Sequence, residues 1–234
     1  MTDSGRFVGR WQIADTSGAV VAVDVLRAFT TAAYAFGAGA SRIVLVDSVA
    51  EALAFNARRP DALVIGEDHG RQPEGFDLPN SPVEVSRADV AGRTLIQRTS
   101  AGTRGVVAAR SATRLWCASL VCASATARAV TTSGLGEPTY VITGRFKDRP
   151  DRPGVDDLLT AELIERARLG QDLDAAGTAE AVATSDEAAS TLTLGDGHVH
   201  PDDIDYAVQV DRFDFAMEVA RANGLLWLHA HPSP

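Results

Sequence analysis

The chain has one lysine, Lys147, two cysteines and no long hydrophobic run, and each shortage closes off a class of protein. With Lys147 alone, nearly every positive charge is an arginine, whose planar fork suits bidentate contact with phosphate, sulfonate or carboxylate; genomic composition explains the same bias. Two cysteines, Cys117 and Cys122, lie five apart in an apolar context and cannot make a disulfide framework, so a reducing cytoplasm is the expected compartment. No apolar stretch approaches the roughly 18 to 20 residues of a membrane helix, and "MTDSGRFVGRWQ" has no apolar core of leader length, which predicts a soluble intracellular protein without a membrane partner. Acids outnumber bases 31 to 22, for a formal charge of −9. That balance argues against a nucleic-acid partner, whose binding needs many phosphates neutralised. There is no internal repeat and no Pro- or Ser-rich linker.

What is present is core material. With 234 residues, 45% of them hydrophobic, the chain can bury a large core, and one domain spanning 1–234 is the expected organisation. Short β-branched runs alternate with helix-length amphipathic segments: a first strand around Phe7 to Ile13, strand 19–24, helix 28–38, strand 42–46, helix 48–57 and strand 62–65. The pattern continues with strand 94–97, a helix from about Gly102, strand 113–117, helix 122–133, strand 139–143 and helix 155–169. Such alternation predicts βαβ units and an α/β fold with a mainly parallel sheet. From about Ala175 the sequence turns Ala- and Thr-rich and less periodic, which reads as a small C-terminal subdomain or a final flap. An amphipathic helix near 212–222 and a short strand "LLWLH" are expected after it; that apolar strand is core, an edge or an interface, and a homo-oligomer stays open.

Polar residues gather where predicted strands end, which is where ligands bind in open α/β sheets. Asp24 and Arg27 follow the first long strand, in "VVAVDVLRAFTT", either as ligands or as a structural ion pair. "GEDHG" (66–70) leads into "GFDLPNSP" (75–82). In "QRTSAGTRG" (97–105), Thr99, Ser100, Gly102, Thr103 and Arg104 stand at a helix start, where small residues let backbone N–H groups approach an anion; a plain capping turn has the same composition. Asp24, Glu67, Asp68, Asp156 and Asp157 are hard oxygen donors of the kind that, with substrate phosphate, hold Mg²⁺. Each also has a structural explanation: pairing of Asp24 with Arg27, of Glu67 with Arg71, or helix capping by Asp156 or Asp157.

Other motifs weaken. Asp24 resembles the nucleophile of haloacid-dehalogenase-type phosphatases, but the acid required two residues later is Leu26. "GAGAS" (37–41) is too short for a dinucleotide fingerprint. "HVH" (198–200) and "HAH" (229–231) have no acid placed to complete a zinc site, and Cys122 reads as a small buried residue rather than a nucleophile.

Taken together, "DVLRAFTT", "GE" at 66–67, "GFDLPNSP", "TSAGTRG" and "VDDLLTAELIE" occur in an order and spacing that resembles the 2-phosphosulfolactate phosphatase family over roughly residues 18–170, and more loosely to the end. The resemblance implies a three-layer α/β/α fold with a mainly parallel sheet and Mg²⁺-dependent hydrolysis of the phosphomonoester of a small sulfonated or carboxylated hydroxy acid. It makes Asp24, Glu67 and Asp157 metal-site candidates, with Asp24 and Arg27 at the reacting centre. Thr30, Asn80, Ser81, Ser100, Gly102, Thr103 and Arg104 become substrate contacts. The chain departs from the family pattern at Asp156, where glutamate is usual, and at Glu162, where glycine is usual, and it loses two amides: Ala101 stands where the third loop normally has asparagine, and Cys122 where a second asparagine is expected. The alternative these two losses motivate is a non-catalytic anion-binding or regulatory protein on the same fold.

Overall fold

The protein, as a computed structural model, is described over residues 6–13 and 15–232; residues 1–5, the start of the segment read for a leader, lie outside. In chain order the strands are β1 (Phe7–Gly9), β2 (Ala19–Val23), β3 (Arg42–Leu45), β4 (Leu63–Gly66), β5 (Leu78–Pro79), β6 (Thr94–Arg98), β7 (Arg114–Ala118), β8 (Thr139–Ile142), β9 (Phe215–Ala222) and β10 (Leu225–Pro232). The helices are α1 (Ala28–Gly37), α2 (Val49–Asn56), α3 (Pro82–Arg87), α4 (Gly102–Ala108), α5 (Ala123–Thr132), α6 (Val155–Arg168), α7 (Ala175–Ala183), α8 (Asp186–Leu192) and α9 (Asp203–Ala207).

All the described strands join one sheet in the order β1-β8-β2-β7-β9-β10-β3-β6-β4-β5. Pairing is parallel within β1-β8-β2-β7 and within β3-β6-β4-β5. The joints β7-β9, β9-β10 and β10-β3 are antiparallel. The mainly parallel α/β reading therefore holds, with an antiparallel hairpin at its centre. Three antiparallel joints in succession also mean that the two parallel halves run in opposite senses.

Side-chain alternation explains the packing. Val20, Ala22, Leu115, Cys117 and Val141 of the first half share one core with Ile43, Leu45, Ile65 and Leu95 of the second, and with Phe29 and Ala32 of α1 and Val106 of α4. Their neighbours face outward. Val21, Val23, Trp116, Tyr140 and Ile142 pack on α5 and α6, whereas Val44, Val46, Val64 and Ile96 pack on α2. Every residue of β2 is buried, as a strand covered on both faces requires. The sheet thus curls around α1 and α4, and a flat three-layer stack does not follow from this packing.

The segment expected as a helix near 212–222 is instead largely strand β9. Asn223 and Gly224 close the hairpin with φ of 53° and 76°, and Ala222 pairs with Leu225 across them. Positive φ at both central residues is what a two-residue type I′ turn demands, and Asn-Gly supplies it. "LLWLH" extends to the full length of β10 and is neither an edge nor external to the sheet, because β9 and β3 flank it. A further helix, α3, starts where Ser81 accepts a hydrogen bond from the Glu84 N–H and Pro82 takes the first turn, a standard helix entry that periodicity alone does not reveal.

Candidate functional site

Asp24 continues the β2 ladder by donating its N–H to Ala118 O at 3.1 Å, and the chain then turns into α1. Its carboxylate does not pair with Arg27. Oδ1 accepts the Ala28 N–H at 2.8 Å, in the first turn of α1, and Oδ2 accepts the Thr143 hydroxyl at 3.0 Å. Thr143 also reaches Asp157 Oδ2 at 3.3 Å and so ties two carboxylates together. Asp157, in the first turn of α6, accepts N–H groups from Val25 at 2.9 Å and Gly144 at 2.8 Å. Asp156 sits beside it. These three acids are at most 4% exposed.

Their electrostatics follow from that burial. Asp24 is pushed up to about 6, first by desolvation, with Glu67 adding to the rise and hydrogen bonds from Ala28 and Thr143 opposing it. Asp156 is pushed up to about 7 by desolvation and then by Asp24 and Glu187. Asp157 rises well above the ordinary carboxylate value through desolvation, then Asp156 and Asp24. Three like charges crowd one dry corner, so each favours its neighbour's neutral form.

Glu67 approaches from the second half of the sheet. Its carboxylate accepts the Gly70 N–H at 2.5 Å and both the N–H and the hydroxyl of Ser100, the latter at 3.0 Å. The expected alternative, a Glu67–Arg71 pair, is not formed; Arg98 spans the Glu67 carbonyl and the Asp68 carboxylate, each at 2.6 Å, and Asp68 does not line the cleft with the other acids. Arg10 fixes the same loop by donating to Ser100 O at 2.9 Å.

These groups border a cleft of about 260 Å³. Of the residues singled out from sequence, Asp24, Arg27, Glu67, Asn80, Ser100 and Asp157 line it. Asn80 is buried and its Oδ1 has no partner among the described residues. Gly102 lies directly behind the wall: a Cβ there would come within 2.6 Å of Ala28 Cβ and 2.8 Å of Asp24 Oδ2. Four others are set apart from the lining. Thr30 donates to Val25 O at 2.7 Å and meets Ser119 Oγ at 2.5 Å. Ser81 caps α3 and donates to Asp203, Thr103 exchanges hydrogen bonds with Thr99, and Arg104 points outward to Asp47 at 3.3 Å.

The cleft also contains groups that strand-end reasoning did not carry into the site. Asp156, weighed only as an oxygen donor, belongs to the lining; so do Arg149 and Arg152 of the loop after β8, and Glu187 and Ser190 of α8. Glu187 Oε1 accepts the Val155 N–H at 3.2 Å, while its Oε2 is buried without a partner among the described residues. Arg152 reaches Ser190 at 3.5 Å. The run of arginines in "GRFKDRPDRPG" was the one local signal for this rim; α8 carried none.

The remaining candidates lie elsewhere. His198, His200, His229 and His231 do not line the cleft, and among the described residues no three His, Cys, Asp or Glu side chains enclose a metal ion by themselves. Cys122 is fully buried, donates to Ser119 O at 3.6 Å, and has its thiol pushed up to about 11, mainly by desolvation; it is not a nucleophile near neutrality. Among the described residues no helix is long and apolar enough to cross a membrane.

Comparison with known proteins bears on this geometry. A sequence model of the 2-phosphosulpholactate phosphatase family matches residues 9–221. A "Probable 2-phosphosulfolactate phosphatase" of Deinococcus radiodurans is 35% identical over 204 residues, covering 80% of this chain and 82% of that protein. One of Bacillus subtilis (strain 168) is 31% identical over 200 residues, covering 85% and 86%. One of Thermus thermophilus is 40% identical over 146 residues, covering 62% of this chain and 59% of that relative, less than two thirds of its length.

Proposed function

The chain belongs to the 2-phosphosulpholactate phosphatase family, and from that premise we propose that it hydrolyses the phosphomonoester of a small anionic hydroxy acid, such as 2-phosphosulfolactate, with Mg²⁺ held at the acidic end of the cleft. The supporting observation is the set of three buried acids, Asp24, Asp156 and Asp157, with no arginine or lysine among the described residues paired to any of them. Arg27, three residues from Asp24 in sequence, is committed to Asp203. Carboxylates left in that state raise one another's pKa, and a hard divalent cation is the partner that relieves them.

The donor chemistry fits. Carboxylate oxygens of Asp24, Asp156, Asp157 and Glu67, together with the unpartnered Asn80 Oδ1, are the hard ligands Mg²⁺ takes. Since no three of the acids enclose an ion alone, the metal would be held by one or two of them and complete its shell with water and substrate oxygens, its usual habit. When bound, it supplies polarisation of the phosphoryl oxygens. The chain's own residues do the rest. Ala28 N–H and Thr143 fix Asp24, while Val25, Gly144 and Thr143 fix Asp157, so that both carboxylates are preorganised. Arg27, Arg149 and Arg152 place positive charge around the anionic substrate, and Phe146 and Leu194 give the cleft its apolar wall. Of the two departures that favour a non-catalytic binder, only Ala101 touches the cleft; Cys122 lies in the core.

The test is release of inorganic phosphate from a panel of small phosphomonoesters, with Mg²⁺ or with chelator, for the wild type and Asp24→Asn. Metal-dependent turnover that falls by about 10² or more in the variant supports the reading. Specific anion binding without turnover would establish the binding protein instead.

A further inference from the structure

Arg27 is the buried cation of the cleft, and the protein holds its guanidinium from one side. Nη1 donates to Asp203 Oδ2 at 2.8 Å and to the His198 carbonyl at 2.9 Å. Nε and Nη2 have no protein acceptor among the described residues, yet Arg27 lines the cleft. The side chains of the pair are 2% and 0% exposed. Removing two charges from water costs about as much as their attraction returns, so such a pair is a weak source of stability, and its placement calls for another reason.

Asp203 is itself held by three further donors. Ser81 Oγ donates to Oδ1 at 2.5 Å and the Val83 N–H to the same oxygen at 3.3 Å; the His200 N–H donates to Oδ2 at 3.0 Å. One carboxylate therefore joins the "GFDLPNSP" segment, the start of α3 and the "HVH" segment before α9, and delivers that rigidity to Arg27, 176 residues away in sequence. A guanidinium fixed at Nη1 can only turn its Nε and Nη2 edge in one direction. That edge is the fork that meets two oxygens of a tetrahedral oxyanion.

We propose that Asp203 is a positioning residue: it fixes Arg27 so that the Nε/Nη2 fork receives an oxyanion of the substrate, either the phosphoryl group or a sulfonate. Turnover as a readout rests on the phosphatase reading; anion binding does not. The test is titration calorimetry of the Mg²⁺-loaded protein with inorganic phosphate and with methanesulfonate, beside steady-state kinetics on 2-phosphosulfolactate. It compares wild type, Asp203→Asn, Asp203→Glu, Arg27→Gln and the Asp203→Asn/Arg27→Gln double variant. Misdirecting one charge-assisted contact is expected to raise Kd for one of the two anions, and KM, about tenfold in Asp203→Asn, with kcat changing less. Asp203→Glu recovers part of the loss. The double variant binds no worse than Arg27→Gln, since Asp203 acts only through Arg27. Which anion loses affinity tells which group the fork receives.

If Asp203→Asn does not fold by circular dichroism, Ser81→Ala is the replacement: it keeps the ion pair, removes the hydroxyl on Oδ1, and is expected to raise the same Kd about threefold. Wild-type affinity and KM in a folded Asp203→Asn, independent additive effects of the two substitutions, or a wild type that binds neither anion would each overturn the assignment. A wild type that shows the binding and the coupling but releases no phosphate sinks the phosphatase reading alone.

Discussion

The crowding of acids in the cleft sets up an opposition between stability and function that one substitution exposes. Asp156 rises from 3.8 to about 7 and Asp24 from 3.8 to about 6, in both cases chiefly through burial. The sign follows from proton counting. Between about pH 4 and pH 7 the folded state keeps protons that the unfolded chain has released, so stability falls as pH rises through that window. At roughly 1.4 kcal/mol per pH unit, the rise at Asp156 alone costs the metal-free fold about 4 kcal/mol at pH 8. Asp156→Asn removes the charge but keeps an amide oxygen for the backbone donors at Leu26 and Asp157. Because the new amide also buries two N–H donors, the recoverable part is about 3 kcal/mol, or a Tm gain of about 6 to 12 °C for a chain of this size. Scanning calorimetry in chelator from about pH 4 to pH 8.5 measures it, with the gain vanishing at the acid end. Saturating Mg²⁺ should narrow the difference, because it stabilises the wild type more. A variant no more stable than wild type at pH 8, or a gain that persists unchanged at pH 4, would refute the reasoning.

Gly102→Ala should destabilise by about 1 to 3 kcal/mol and suppress turnover, because its Cβ would press on Ala28 and the Asp24 carboxylate; denaturant unfolding and phosphate release both read it. At the other end of the sheet, burial alone would raise Glu165, but hydrogen bonds from Arg168, Arg6 and Tyr140 outweigh it and hold the carboxylate at about 2. That depressed pKa stabilises the fold above about pH 4.5 and is lost as pH falls through 2. Arg6→Met, which removes a 2.8 Å partner, should therefore cost about 1 to 2 kcal/mol more at neutral pH than near pH 2, where only the loss of its bond to the Pro138 carbonyl remains, as acid unfolding of the two proteins will show. The two lost amides of the family pattern separate as well. Ala101→Asn, in the cleft, should change KM and substrate preference; Cys122→Asn buries an amide in the core and should cost about 1 to 3 kcal/mol without altering preference.

Strand ends were legible because β2, β4, β6 and β8 are short β-branched runs, and the polar residues just after them had no periodic reason to be there. That placed Asp24, Glu67, Ser100 and, across the loop after β8, Asp157 in one cleft. What the sequence hid is long-range. Asp203 and Glu187 lie in a stretch with little period, and only tertiary folding brings them to Arg27 and Asp156. The Arg27–Asp24 pair suggested by their proximity in sequence loses to Asp203, since the Ala28 N–H and Thr143 already satisfy Asp24. β9 looked helical because both its faces carry apolar residues, Met217 and Val219 toward the inner core and Ala216 toward the outer. The Asn223-Gly224 turn was the better signal.

The central claim, that the acids ending β2 and starting α6 face an anion-binding arginine across one metal-holding cleft, is tested most directly by a crystal structure soaked with Mg²⁺ and phosphate. The expected result is the ion on carboxylate oxygens of Asp24 and Asp156 or Asp157, with a phosphate oxygen completing its shell and the Arg27 fork within hydrogen-bond distance of an oxyanion. An ion bound away from the ends of β2 and β4, or a phosphate seated out of reach of Arg27, would contradict it.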